Sequence, residues 1–132
     1  MQVLAAGEAG GFDSAGVSAR CVLRAPSGAG WLMFYEAQDG ARQHSIGLAR
    51  STDGVEWKRC MDSPVLEHSP DTDAWDGAAV ARPWVVPMAD GLARMYYLGR
   101  DVAGAQGIGM AESDGADWTS WRRVQLTPFD GR

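Results

Sequence analysis

Little in this sequence is suited to cross-linking, glycosylation or metal capture. It has only 2 cysteines, Cys21 and Cys60, and no asparagine in 132 residues. Two cysteines among apolar, strand-like neighbours make neither a disulfide framework nor a thiolate metal site, and buried free thiols are expected. Without asparagine there is no N-glycosylation acceptor. Lys58 is the single lysine among 12 basic residues, the rest being arginine. No apolar run approaches the ~20 residues that a membrane-crossing helix requires, so no membrane partner is expected. Net charge is −5 and the basic residues are scattered. Such a surface repels phosphate backbones, so no nucleic-acid partner is expected either. The compartment is left open.

What is present is the composition of one folded domain: 45% hydrophobic and 22% charged residues in a chain of 14.1 kDa. The 17 glycines and 6 prolines point to many turns, and 6 tryptophans are a large number for this size. These residues recur in order. Phe12-Asp13, Val17, Val22, Met33-Phe34-Tyr35, Ile46-Gly47-Leu48-Ala49 and Asp53-Gly54-Val55-Glu56-Trp57 are followed by a second series. That series is Trp75-Asp76, Val80, Val85, Met95-Tyr96-Tyr97, Ile108-Gly109-Met110-Ala111 and Asp114-Gly115-Ala116-Asp117-Trp118. The offset is 63 at Asp13/Asp76, 62 at Tyr35/Tyr97 and 61 at Gly54/Gly115, each step falling in a connection where length is free to change. Val3-Leu4 matches Val65-Leu66, so the repeat also extends backwards. The chain 1–132 is read as a single partial assembly of two copies, 12–62 and 75–126.

Within each copy the elements are short. Expected strands are Ser18 to Leu23, Trp31 to Ala37 and Ile46 to Arg50, with Ala81 to Val86, Ala93 to Leu98 and Ile108 to Glu112 in the second copy. A fourth short strand carries Lys58-Arg59 in one copy and Trp121-Arg122-Arg123 in the other. Pro26-Ser27-Gly28, Gln38-Asp39-Gly40, Asp53-Gly54, Ala89-Asp90-Gly91 and Asp114-Gly115 supply the turns between them. No stretch keeps a 3.6-residue apolar period. Four strands joined by hairpin-like turns make an antiparallel meander, and the fold class is all-β: β-propeller blades in two tandem four-stranded antiparallel sheets. In Ser51-Thr52-Asp53-Gly54-Val55-Glu56-Trp57 a tight turn is capped by Ser or Asp, and the Trp covers the blade. In the second copy Trp118 and Trp121 both qualify as the covering residue.

The residues Phe12-Asp13-Ser14-Ala15-Gly16-Val17, Trp75-Asp76-Gly77-Ala78-Ala79-Val80, Ala81-Arg82-Pro83-Trp84-Val85-Val86, Met95-Tyr96-Tyr97 and Ile108-Gly109-Met110-Ala111, with the Asp-Gly-x-x-Trp turns, carry a family resemblance. The chain resembles the five-bladed propellers of the arabinanase, levansucrase and invertase superfamily, and its uncharacterised glycosidase-like branch in particular. The resemblance covers nearly the whole chain and implies a partial five-bladed propeller. Two blades leave a long inner edge and two flanks open, so the chain is either a fragment of a longer protein or a piece that closes with other chains. The partners implied are a carbohydrate ligand and the missing blades, or copies of this chain.

The resemblance further implies that the first strand of each blade lines a central channel. Loops 5–17, 67–80, 37–45 and 99–107 would surround its functional mouth. Sugar hydrolysis needs two carboxyl groups across the substrate, and Asp13, Asp76 and Glu36 are the candidates for catalysis. Asp13 and Asp76 hold equivalent positions, which also suits a repeated structural task such as capping a loop. Arg82, Trp84, Arg100, Asp101 and His44 are the candidates for substrate binding. Glu36 and Arg100 close the second strand of their copies, an acid in one and a base in the next. Catalytic members of the family carry an acid just before the proline of the first strand, where Arg82 precedes Pro83 here and Ala19 precedes Arg20 in the first copy. Arg82 would bind an anionic group or pair with Asp76. His44 and His68 lack ligand spacing, so no metal is expected, and no phosphate loop, dinucleotide fingerprint or nucleophile elbow implies a cofactor. Trp31, Trp75 and Trp84 would stack on sugars or pack the blades. Two functions remain open: a carbohydrate-related module of a glycoside hydrolase, or a non-catalytic sugar-binding or assembly module.

Overall fold

The computed structural model describes residues 1–125. Two four-stranded antiparallel sheets follow one another along the chain, and the described residues contain no helix. The first blade comprises β1 (Gly16–Arg24), β2 (Trp31–Gln38), β3 (His44–Ser51) and β4 (Lys58–Arg59). The second comprises β5 (Ala79–Pro87), β6 (Ala93–Arg100), β7 (Gln106–Ser113) and β8 (Trp121–Val124). Each sheet is a meander in which neighbours in sequence are neighbours in space. Position 126, the last assigned to the second copy, lies outside the described residues.

The registers of the two sheets correspond. Phe34 faces Leu48 as Tyr96 faces Met110, and Glu36 faces Ile46 as Leu98 faces Ile108. The counterpart of Glu36 is therefore Leu98, and that of Arg100 is Gln38; the acid and base expected at one position occupy two different ones. Both first strands carry a β-bulge, between Ala19 and Cys21 and between Ala81 and Trp84. Within the second bulge Arg82 has φ 51°, a left-handed conformation that costs a residue with a Cβ and re-aims the chain at the β5 edge of the sheet.

Successive side chains alternate between the two faces of a sheet. One face of the first blade presents Leu32, Phe34, Ile46 and Leu48 to the second blade. That blade answers with Val80, Val85, Met95, Tyr97 and Trp121, and all nine are buried in one cluster. Trp121 meets Phe34 edge to face, with ring centroids 5.6 Å apart. The first blade's other face gathers Met33, Tyr35, Ala37 and Ala49 beneath Leu4, Phe12, Val17 and Trp57. The covering tryptophans are Trp57 and Trp121: each indole N–H donates to the carbonyl three residues earlier, Gly54 and Trp118. Cys21 and Cys60 are half-buried and unpaired, and burial pushes the Cys60 thiol up.

The recurring Ile-Gly pair has a steric cause. A Cβ on Gly47 would lie 2.3 Å from Cζ of Tyr35, and one on Gly109 would lie 2.7 Å from Cζ of Tyr97. The tyrosine ring lies flat across the third strand only where that strand has no side chain.

Candidate functional site

The connectors 5–15 and 67–78 bring each chain segment to the first strand of its blade, and the same three-residue latch holds both. Oδ2 of Asp13 accepts from the Tyr35 hydroxyl at 2.9 Å and from Nε of Arg59 at 2.6 Å. Oδ2 of Asp76 accepts from the Tyr97 hydroxyl at 2.8 Å and from Nε of Arg123 at 2.8 Å. Nη2 of each arginine reaches back to a connector carbonyl, Ala5 or Glu67. Phe12 stacks on Tyr35 and Trp75 on Tyr97, closing each latch from above. Both carboxylates are buried, at 3% and 2% exposure. Burial, followed by the hydrogen bond to its carboxylate, pushes the Tyr97 phenol from 10.0 up to about 12, and the same causes push Tyr35 higher still. Asp13 and Asp76 thus spend one oxygen on two donors inside the protein, in the manner of a structural tie.

Asp76 pairs with Arg123 and not with Arg82, the alternative drawn from the sequence. The guanidinium of Arg123 arrives from β8 on the sheet face that Asp76 overhangs. Arg82 sits in the bulge of β5 with its side chain exposed.

Asp39 and Asp101 perform a second repeated task. Oδ1 of Asp39 accepts from the amides of Ala41 and Gln43, and Oδ1 of Asp101 from those of Ala103 and Ala105, all at 2.9 Å. Each aspartate caps the turn that joins the second and third strands of its own blade.

Polar chemistry that is not repeated gathers at two points: Arg94, Glu112, Arg122 and Asp114 form ion pairs on the second blade, and a second cluster centres on Glu36 at the seam. Glu36 leaves β2 on the face turned to the second blade. Its Oε1 lies 3.2 Å from Nη2 of Arg20, and its Oε2 lies 3.1 Å from Nδ1 of His44. The backbone N–H of Arg82 donates to Oε1 at 3.3 Å. Beside this cluster, Nε2 of Gln43 donates to the carbonyl of Ala78 at 2.6 Å, tying the first blade's mouth loop to the approach of β5. Glu36 is half-buried, with its side chain 15% exposed, while Arg20 at 37% and His44 at 28% remain open to solvent. A carboxylate oriented by a guanidinium and an imidazole between β2 and β5 can accept hydrogen bonds from hydroxyl groups or exchange a proton with one.

The structure therefore unites three of the sequence candidates, Glu36, His44 and Arg82, around one carboxylate. Asp13 and Asp76 lie in separate buried latches, Asp101 in its own turn. Arg100 projects from the end of β6 and Trp84 from β5, 62% exposed, on the second blade's far face. Arg20, Gln43, Arg59 and Arg123 were missed. The last two had a sequence signal, an arginine two positions after the tryptophan in Trp57-Lys58-Arg59 and Trp121-Arg122-Arg123. Arg20 had none, because a one-residue bulge decides where it points. Among the described residues no group of three or more His, Cys, Asp or Glu side chains is placed to hold a metal ion.

No family model and no curated protein matches the chain. Solved structures do. One is a member of the GH130 family of mannoside phosphorylases, described with glycoside hydrolases that target β-1,2 mannosidic linkages in Candida mannan. It has 23% identity over 79% of this chain and 31% of its own, with a TM-score of 0.64. A glycosyl hydrolase from Bacteroides ovatus has 21% identity over 82% of this chain and 31% of its own, with a TM-score of 0.64. A family 117 glycoside hydrolase from the marine bacterium Zobellia galactanivorans has 15% identity over 92% of this chain and 42% of its own, with a TM-score of 0.65. These likenesses show the fold: the chain is part of a propeller of the kind found in glycoside hydrolases. It spans from about a third to two fifths of the length of the structures it matches, 31% to 42%.

Proposed function

We propose that this chain is the carbohydrate-binding part of a glycosidase-type propeller, with Glu36 as the acidic group at the sugar. The observation that carries the reading is the cluster of Arg20, Glu36, His44 and the Arg82 amide at the seam of the two blades. The other blade does not duplicate it, since Leu98 and Gln106 stand where Glu36 and His44 do, and unlike the ion pairs of Arg94, Glu112 and Arg122 it lies where the two blades meet. A function needs one site, whereas a scaffold needs the same contact in each blade. In this reading Arg20 and His44 orient the carboxylate, and the exposed guanidinium of Arg82 meets the ligand. Arg100 and Asp101 border the mouth on the far side. Trp84, on the flat face of the sheet, takes no part.

Hydrolysis requires a second carboxyl group across the substrate. With Asp13 and Asp76 committed to their latches, that group comes from a blade outside the two described here. On its own the chain binds and does not cleave, which joins the glycosidase-like reading to that of a sugar-binding module. The test is binding of the chain to an array of plant, algal and bacterial oligosaccharides. Glu36→Gln and Arg82→Ala should each weaken the best-retained glycan by about tenfold or more, the loss of one charged hydrogen bond. Retention unchanged by Glu36→Gln would move the site elsewhere, and an array with no retained glycan would remove the carbohydrate reading.

A further inference from the structure

The outer face of the second blade is chemically unfinished. At the positions where the first blade has Phe34, Ile46 and Leu48, exposed 0%, 0% and 1%, the second has Tyr96, Ile108 and Met110, and where it has Leu32 the second has Arg94, paired with Glu112 at the border of the patch. Tyr96 is 39% exposed and Ile108 71%, with Trp84 at 62% beside them. Isolated apolar residues on a surface are ordinary, but an aromatic pair and an isoleucine on one sheet face form a patch of the kind that marks an interface.

The identity of the partner is written on the opposite side of the molecule. The surface that packs with Phe34 and Ile46 within this chain includes Val80, Val85, Met95, Tyr97, Ala111 and Trp121. Strand registers place Val17, Val22, Met33, Tyr35 and Ala49 at the corresponding positions of the first blade, and Trp57 precedes Arg59 by two residues as Trp121 precedes its counterpart Arg123. The residue type is the same at all six. The first blade's outer face thus has the residue types of the surface that a Phe/Ile/Leu face already receives; Met33, Tyr35 and Ala49 on it lie under Leu4 and Phe12, while Val17 and Trp57 are half-buried and Val22 is 51% exposed. We infer that the Trp84–Tyr96–Ile108 face is a docking surface for the Val22 face of a second copy of this chain. The copies join head to tail and continue the blade-to-blade interface found within each one.

A junction of this kind is heterologous: each copy gives a different face and keeps one free, so association proceeds to a ring or a chain of copies. The inference rests on the partial-propeller fold and not on carbohydrate binding, and its readout is independent of any glycan.

Sedimentation velocity of the purified chain should show species larger than a monomer that grow with concentration through the micromolar range. Ile108→Asp, at a position already in water, should leave a folded monomer, and Val22→Asp should do the same from the other side. Equimolar mixing of the two variants should restore a dimer and nothing larger, since one intact face remains on each. Far-UV circular dichroism checks the fold, and the Ile108→Asp variant alone decides the matter if Val22→Asp fails to fold. A wild-type chain that stays monomeric, as it would if the face were reserved for a further blade of a longer polypeptide, overturns the inference. Assembly that survives Ile108→Asp, or folded variants that do not recombine, overturns it too.

Discussion

Phe34 and Tyr96 occupy the same place on two blades and meet opposite surroundings: the first lies under Trp121 and the second faces water. Asp13 and Asp76, by contrast, have the same partners at nearly the same distances. Position within a blade fixes the latch, whereas position along the chain fixes what covers the sheet. The Glu36 cluster belongs to a third category, made by the seam between blades and by side chains that one blade has and the other lacks. Repetition marks what holds a blade together, and its interruption marks where ligand chemistry is sought.

The contrast between Phe34 and Tyr96 has the largest expected consequence. Phe34→Ala empties the centre of the interblade core and should cost about 3–5 kcal/mol in urea unfolding. Tyr96→Ala, in the Ile108→Asp background that keeps the chain single, should stay within about 0.5 kcal/mol. Equal losses would mean that the outer face is covered in the isolated chain. The latches come next. Asp76→Ala strands a partly buried guanidinium and a tyrosine hydroxyl and should cost about 3 kcal/mol, and Asp13→Ala should match it. A silent Asp13→Ala would break the equivalence of the two blades.

The smallest effect is one of pH. The folded Tyr97 phenol holds its proton to about 12, whereas the unfolded one releases it near 10.0. A folded-state value above the unfolded one contributes stability that is complete below pH 10 and declines as pH rises towards 12. The decline is up to about 2 kcal/mol, and Tyr97→Phe should remove that share of the slope while leaving the part that Tyr35 contributes. The difference in phenolate absorbance at 295 nm between the wild type and Tyr97→Phe against pH follows the same proton.

The fold was legible because it is stated twice. Trp31 to Ala37 was expected as a strand and β2 is Trp31–Gln38; Ala93 to Leu98 was expected and β6 is Ala93–Arg100. Apolar alternation and the flanking turn residues determine such segments locally, so the sequence carries them. Side-chain partnerships are another matter. Asp76 was matched with Arg82, six residues away, but a strand from the far end of the blade delivers Arg123 instead. Glu36 and Arg100 each close the second strand of their blade, but the hydrogen-bond register, in agreement with the 62-residue offset at Tyr35/Tyr97, shows them to be two positions out of step. Ser51 and Ser113 show the same limit. Ser51 caps its turn through the Asp53 and Gly54 amides, while Ser113, which adjoins Asp114-Gly115 with no residue between, accepts from Ala93 across the sheet.

Every bond of the first latch lies between Ala5 and Arg59, and every bond of the second between Glu67 and Arg123. Each clasp is fastened inside its own unit and borrows nothing from its neighbour. A gene that gains or loses a unit by unequal recombination therefore severs no clasp. Blades pulled apart along the ring would likewise part at the greasy seam around Phe34 while each still holds its own strap shut.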